Sequence, residues 1–100
     1  MFVKTVKSSE LAEGKMKQVN VSGKVLMLAN LGGKFYCNDD TCTHVGGPLS
    51  QGKLDGKEVI CPWHASRFDV TTGKCKGGPA TKDINSYNVR EKDGFVEVDV

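Results

Sequence analysis

Cys42-Thr43-His44-Val45-Gly46-Gly47-Pro48-Leu49 and Cys61-Pro62-Trp63-His64-Ala65-Ser66-Arg67-Phe68-Asp69 are the two stretches around which the chain is organised. The first sets a cysteine and a histidine as C-x-H, the second as C-x-x-H, and sixteen residues separate His44 from Cys61. The 100-residue chain has only two histidines, and each has one or two residues between it and a cysteine. Thiolate and imidazole together suit soft or borderline metals, such as zinc or iron in a sulfide cluster. Zinc usually takes its cysteines as one close pair and its histidines as another. Here each pair is mixed, with a structural zinc site as the alternative reading.

Outward from these pairs the chain reads as short strands and turns. Residues 2–6 alternate weakly, and residues 17–21 alternate better up to the turn signal Ser22-Gly23. Residues 24–30 are almost continuously apolar, which predicts a strand buried on both faces. Gly32-Gly33 and residues 34–38 complete a hairpin with it. Residues 39–49, rich in Asp, Thr, Gly and Pro, predict a loop. Strand signals return at 56–60, then a second loop at 61–66, a strand at 67–70 and a turn at 71–73. Gly77-Gly78-Pro79-Ala80 reads as a third loop, and residues 84–89 and 95–99 as closing strands around Asp93-Gly94. A short helix is predicted over residues 8–14, capped by Ser9 and stopped by Gly14. The expectation is one all-β domain over residues 1–100, a small antiparallel sandwich or barrel with both pairs in loops at strand ends.

Composition narrows the function classes. Hydrophobic residues make up 38% and charged residues 26%, an ordinary globular balance. A net charge of +2 without a basic run argues against nucleic acid as a partner. No apolar run approaches membrane-spanning length, and Met1-Phe2-Val3-Lys4 lacks the features of a secretory signal. The expectation is a cytoplasmic chain, where cysteines serve more often as metal ligands or free thiols than in disulfides. Cys37 and Cys75 remain open between a disulfide, a redox switch, extra ligands and small buried thiols, the last being the common fate of free cysteine.

The two pairs and their flanks resemble the Rieske family, whose pattern is the same C-x-H and C-x-x-H at this spacing. Gly77-Gly78-Pro79 resembles the proline loop of that family. The resemblance implies a Rieske-type β fold and one [2Fe–2S] cluster. Cys42 and Cys61 would bind one iron, and His44 and His64 the other. It further places Trp63, Ser66 and Pro79 around the ligands. Respiratory Rieske proteins carry a disulfide where Gly47 and Trp63 stand here, and an N-terminal membrane helix that this sequence lacks. The chain is more similar to the ferredoxins of ring-hydroxylating oxygenases, without the oxygenases' catalytic domain.

That implies a monomeric electron carrier rather than an enzyme, with a reductase and a terminal oxygenase as transient partners. The alternative is a small iron–sulfur subunit of a larger redox enzyme such as a nitrite reductase. A redox-sensing regulator gains no support, since nothing reads as a DNA-binding helix. High-potential relatives use a serine and a tyrosine in the second loop, because hydrogen bonds to cluster sulfurs favour the reduced state. Ser66 matches the serine, but Phe68 stands at the tyrosine position. The potential is therefore expected near the low end of the family range of roughly −150 to +300 mV.

Several features carry two readings. Val45, Pro48, Leu49 and Pro79 read as an apolar rim that docks a partner or simply excludes water. Trp63 and Phe68 read as a partner-docking surface or an electron path, or else as a partial shield and a core residue respectively. Lys53, Lys57, Lys74, Lys76 and Lys82 read as a steering patch or an ordinary solvated surface. Asp39-Asp40 reads as a turn maker.

Overall fold

The computed structural model describes residues 1–44 and 46–100. Short alternating runs broken by turn residues form antiparallel hairpins. In chain order the strands are β1 (Phe2–Lys7), β2 (Met16–Val21), β3 (Lys24–Leu31), β4 (Lys34–Asp39), β5 (Lys53–Asp55), β6 (Glu58–Ile60), β7 (Arg67–Asp69), β8 (Cys75–Gly77), β9 (Ser86–Tyr87), β10 (Val89–Lys92) and β11 (Phe95–Asp99). They form three antiparallel sheets in the orders β1-β11-β10, β2-β3-β4-β9 and β5-β6-β7-β8. Ser22-Gly23, Gly32-Gly33 and Asp93-Gly94 each join two strands, and all six residues have positive φ. Two-residue hairpins need that backbone so that the turn twist matches the strand twist. The expected all-β antiparallel architecture is the observed one.

Strand β3 lies at the centre, and its side chains alternate between two cores. Leu26 and Leu28 pack with Leu11, Val21, Cys37, Val96 and Val98. Met27, pointing the other way, packs with Leu49, Val59, Phe68, Val70 and Ile84, and this second core also holds Cys42 and Cys61. The apolar run therefore serves both faces, as its composition predicts. Each such side chain taken fully from water contributes about 1.5–3 kcal/mol.

Two local expectations fail, and two strands go unforeseen, for physical reasons. Only Ser8–Glu10 coils, as a 3₁₀ turn, in place of a helix over 8–14. Beyond it the backbone is claimed by tertiary bonds: Asn30 Nδ2 donates to Leu11 O (2.8 Å), and Gly14 N donates to Asn30 O (2.7 Å). Strands β5 and β8 are three residues long, too short to show a period. Residues 84–89 form no single strand, because β9 pairs with β4 while β10 pairs with β11, so the chain changes sheet at Asn88. No helix among the described residues is long and apolar enough to cross a membrane.

Candidate metal centre

The sheet β5-β6-β7-β8 and the end of β4 carry three loops that meet at one end of the molecule. The first leaves β4 at Asp39. Thr41 bridges to Pro48, Cys42 N donates to Gly47 O (2.9 Å), and Gly46 N donates to Cys42 O (2.9 Å). These bonds curl the loop so that the Cys42 thiol is buried while His44 stays exposed. The second loop joins β6 to β7 and is closed by Cys61 N donating to Ser66 O (2.8 Å). His64 and Ala65 have φ of 71° and 61°, a left-handed conformation that non-glycine residues adopt at a cost. The turn leaves Cys61 buried and His64 exposed. Such strain, held by the surrounding bonds, marks a position where side-chain direction matters.

The two loops are in close contact. A Cβ on Gly47 would lie 2.9 Å from Cys61 Sγ and 3.1 Å from the Trp63 ring. Positions 47 and 63 therefore face each other, and neither carries a sulfur. The His44 and His64 rings are 5.5 Å apart between centroids and inclined by 59°. Burial pushes the Cys61 thiol above its ordinary value; a hydrogen bond from Trp63 N (3.4 Å) opposes this, and the neighbouring Cys42 thiol adds to it. The Cys61 thiol is therefore a poor acid alone, whereas a bound metal deprotonates a coordinating thiol outright.

The third loop closes over the second. Ser66, fully buried, accepts a hydrogen bond from Ala80 N at 3.1 Å, which leaves its own O–H proton uncommitted by that bond. Gly78 packs so tightly that a Cβ there would sit 2.5 Å from Ser66 Cα. Thr43 Oγ1 donates to Lys82 O (2.6 Å), tying the first loop to the third. The Cys75 thiol donates to Ala80 O (3.1 Å), and Cys75 N donates to Asp83 Oδ1 (2.8 Å). Pro79 is exposed at the loop tip, and Trp63 is 50% exposed.

The donor set fits a two-iron sulfide cluster. Paired thiols lie inside and paired imidazoles lie outside, so each pair could serve a separate iron. Among the described residues, no three His, Cys, Asp or Glu side chains gather about one point as a single ion requires. A lone zinc ion would need all four donors at one tetrahedron.

Other expectations resolve individually. Leu49 is fully buried beneath the site and forms no part of an exposed rim, whereas Pro48 is half-buried. Val45 lies outside the described residues. Cys37 and Cys75 are both free thiols; Cys37 is buried but Cys75 only half-buried. Phe68 is fully buried core. All five lysines are exposed, and Lys57 pairs with Asp69 at 3.4 Å. Asp39 ends β4 and the chain bends at Asp40, while both carboxylates serve as acceptors. Asp39 accepts the Tyr87 hydroxyl (2.7 Å), and Asp40 is buried beneath the first loop. Sequence patterns gave no sign of the bonds that Asp40 and Thr43 make at the site, because their partners are 10 to 39 positions away.

Comparison with known proteins agrees with this geometry. Residues 1–88 match the Rieske [2Fe-2S] domain family. The chain is 38% identical to the ferredoxin component of the naphthalene 1,2-dioxygenase system of Pseudomonas putida, over 99% of this chain and 95% of that protein. A structure of the Sphingomonas yanoikuyae B1 ferredoxin superposes with a TM-score of 0.94 at 29% identity, covering 100% of this chain and 99% of that one. A chain from a complex of reduced oxygenase and oxidized ferredoxin in carbazole 1,9a-dioxygenase superposes with a TM-score of 0.92 at 36% identity, covering 97% and 100%. With its paired loops and this match along most of its length, the chain belongs to the Rieske [2Fe–2S] domain family and carries one cluster of that type.

Proposed function

We propose that this chain is a ferredoxin that takes single electrons from a reductase and passes them to a terminal oxygenase, acting as a cytoplasmic monomer whose residues 1–100 form one Rieske domain. When bound, the cluster supplies a one-electron couple. Cys42 and Cys61 hold it on the buried side, and His44 and His64 hold it on the exposed side. Two neutral imidazoles in place of two thiolates remove negative charge and ease electron uptake. Gly47 and Gly78 let the three loops close, and Trp63, next to His64 in the chain, with Pro79 on the third loop would limit water around the site. Ser66 has a hydroxyl proton to direct at the cluster, whereas Phe68 has none, which places the potential at the low end of the family.

The observation that carries this reading is the arrangement of buried thiols beneath exposed imidazoles, 5.5 Å apart between ring centroids, at one tip of the molecule. The edge of the redox group then meets a partner over a small surface, as transient electron-transfer encounters require. The naphthalene dioxygenase component and the carbazole system's ferredoxin are named for such roles, which supports the same one here. Stopped-flow spectroscopy tests it. The purified chain should elute as a small monomer, accept one electron per molecule from a flavin-dependent reductase, and be reoxidised by a ring-hydroxylating oxygenase. Elution only as part of a larger enzyme would overturn the carrier reading.

A further inference from the structure

Asp40 is a carboxylate buried to 2% exposure two residues before Cys42. Its Oδ1 accepts the backbone N–H of Ser50 (2.6 Å), and its Oδ2 accepts Gln18 Nε2 (2.7 Å). Its backbone O accepts Leu49 N (2.7 Å), and its backbone N donates to Val25 O (3.2 Å). One residue thus joins both ends of the first loop to each other and to strands β2 and β3. Both carboxylate oxygens are acceptors of N–H groups, the pattern of the charged form. Among the described residues, no lysine or arginine forms an ion pair with it.

A buried charge answered by neutral donors alone is costly. For closing the loop, a neutral asparagine could make the same bonds: its carbonyl would accept from Ser50, and its amide would face Gln18 with the Gln18 amide turned over. The charge itself therefore calls for another role. In a low-dielectric site, a fixed negative charge near a redox centre disfavours the added electron.

We propose that Asp40 is a positioning residue that closes the first ligand loop and whose fixed charge lowers the reduction potential of the cluster. The proposal rests on the reading of Cys42 as a ligand. Voltammetry of the cluster-loaded protein, with amide hydrogen exchange at Ser50, tests it on four variants, of which Asp40→Ala should expose the Ser50 amide to exchange. Asp40→Asn should raise the midpoint while leaving Ser50 protected. Gln18→Lys, made at an exposed strand position, should also raise it, by a smaller shift, because an ammonium beside Oδ2 offsets the charge. Gln18→Met, which removes a donor but adds no charge, should leave the midpoint near its original value.

If Asp40→Asn does not fold, Gln18→Lys decides the question alone. Midpoints unmoved in the neutralising variants would overturn the electrostatic role. Ser50 exchange unchanged in Asp40→Ala would overturn the loop-closing role. A native chain that binds no iron and sulfide would instead overturn the ligand reading beneath both.

Discussion

The two cores of this molecule differ in what builds them. The scaffold core around Leu26, Leu28, Val96 and Val98 is formed mainly by strands of five to eight residues, in unbroken register across β2-β3-β4 and with one irregularity where β1 pairs with β11. The cluster core around Phe68, Val59 and Leu49 is formed largely by three-residue strands and loops, and two of its members are the proposed ligand cysteines, Cys42 and Cys61. Strand order can hold the first core by itself. The second depends on loop closure, through Gly47, Ser66, Gly78 and Asp40, and, with Cys42 and Cys61 as the proposed ligands, on the group they would hold. Shared strand β3 lets the rigid half position the half that carries the chemistry.

The largest effect should come from the ligands. Cys61→Ala should abolish cluster binding, read as loss of visible absorbance. Hydrogen exchange should then rise through residues 40–80 while β3 and β11 stay protected. Equal loosening of both halves would erase the distinction between them. Truncating one large side chain in each core sharpens it. Phe68→Ala should cost about 3–5 kcal/mol and Leu28→Ala about 2–5 kcal/mol in urea unfolding. Only the first should also reduce the cluster content of the folded protein. Gly47→Ala forces a methyl group against Cys61 Sγ and the Trp63 ring and should cost about 1–3 kcal/mol. Its place in the comparison is checked by the rate of cluster loss, which should rise.

The smallest effects concern pH and have opposite signs in the two halves. On the scaffold side, burial and then Asp39 push the Cys37 thiol up to about 12, and the Tyr87 hydroxyl likewise to about 12. Both are raised, so their contribution is complete below the unfolded values of roughly 8.5 and 10 and is lost as pH climbs toward those folded values. On the cluster side, burial alone would raise Asp69, but the Thr71 hydroxyl and N–H, with Lys57, outweigh it and hold its carboxyl below the usual range. Its contribution is present above an unfolded value of roughly 3.9 and is lost as pH falls through the depressed one. Urea midpoints against pH should therefore flatten on the alkaline side in Cys37→Val and on the acid side in Asp69→Asn.

How much of this could be read from the sequence follows the same division. The hairpins of the scaffold announced themselves through alternation and through Ser22-Gly23, Gly32-Gly33 and Asp93-Gly94, because strand period and turn chemistry are local properties. The proposed ligand pairs stood out because four chemically distinctive side chains stand close together in two short stretches. The clasps were not. Asp40 reads as a turn residue until Gln18 and Ser50 are seen beside it, Leu49 reads as surface until the loop folds it inward, and Ser8–Gly14 reads as a helix until Asn30 claims its backbone. Each depends on a partner distant in sequence, which no local pattern encodes.

The claim at the centre of this account is that two thiolates and two imidazoles share a pair of irons between the loops. Pulsed electron paramagnetic resonance of the reduced protein tests it most directly. The expected spectrum is a two-iron signal with nitrogen couplings from two imidazoles, one of which disappears or changes when His64 is replaced by cysteine. A colourless protein holding one zinc ion, with no acid-labile sulfide and no such signal, would contradict it.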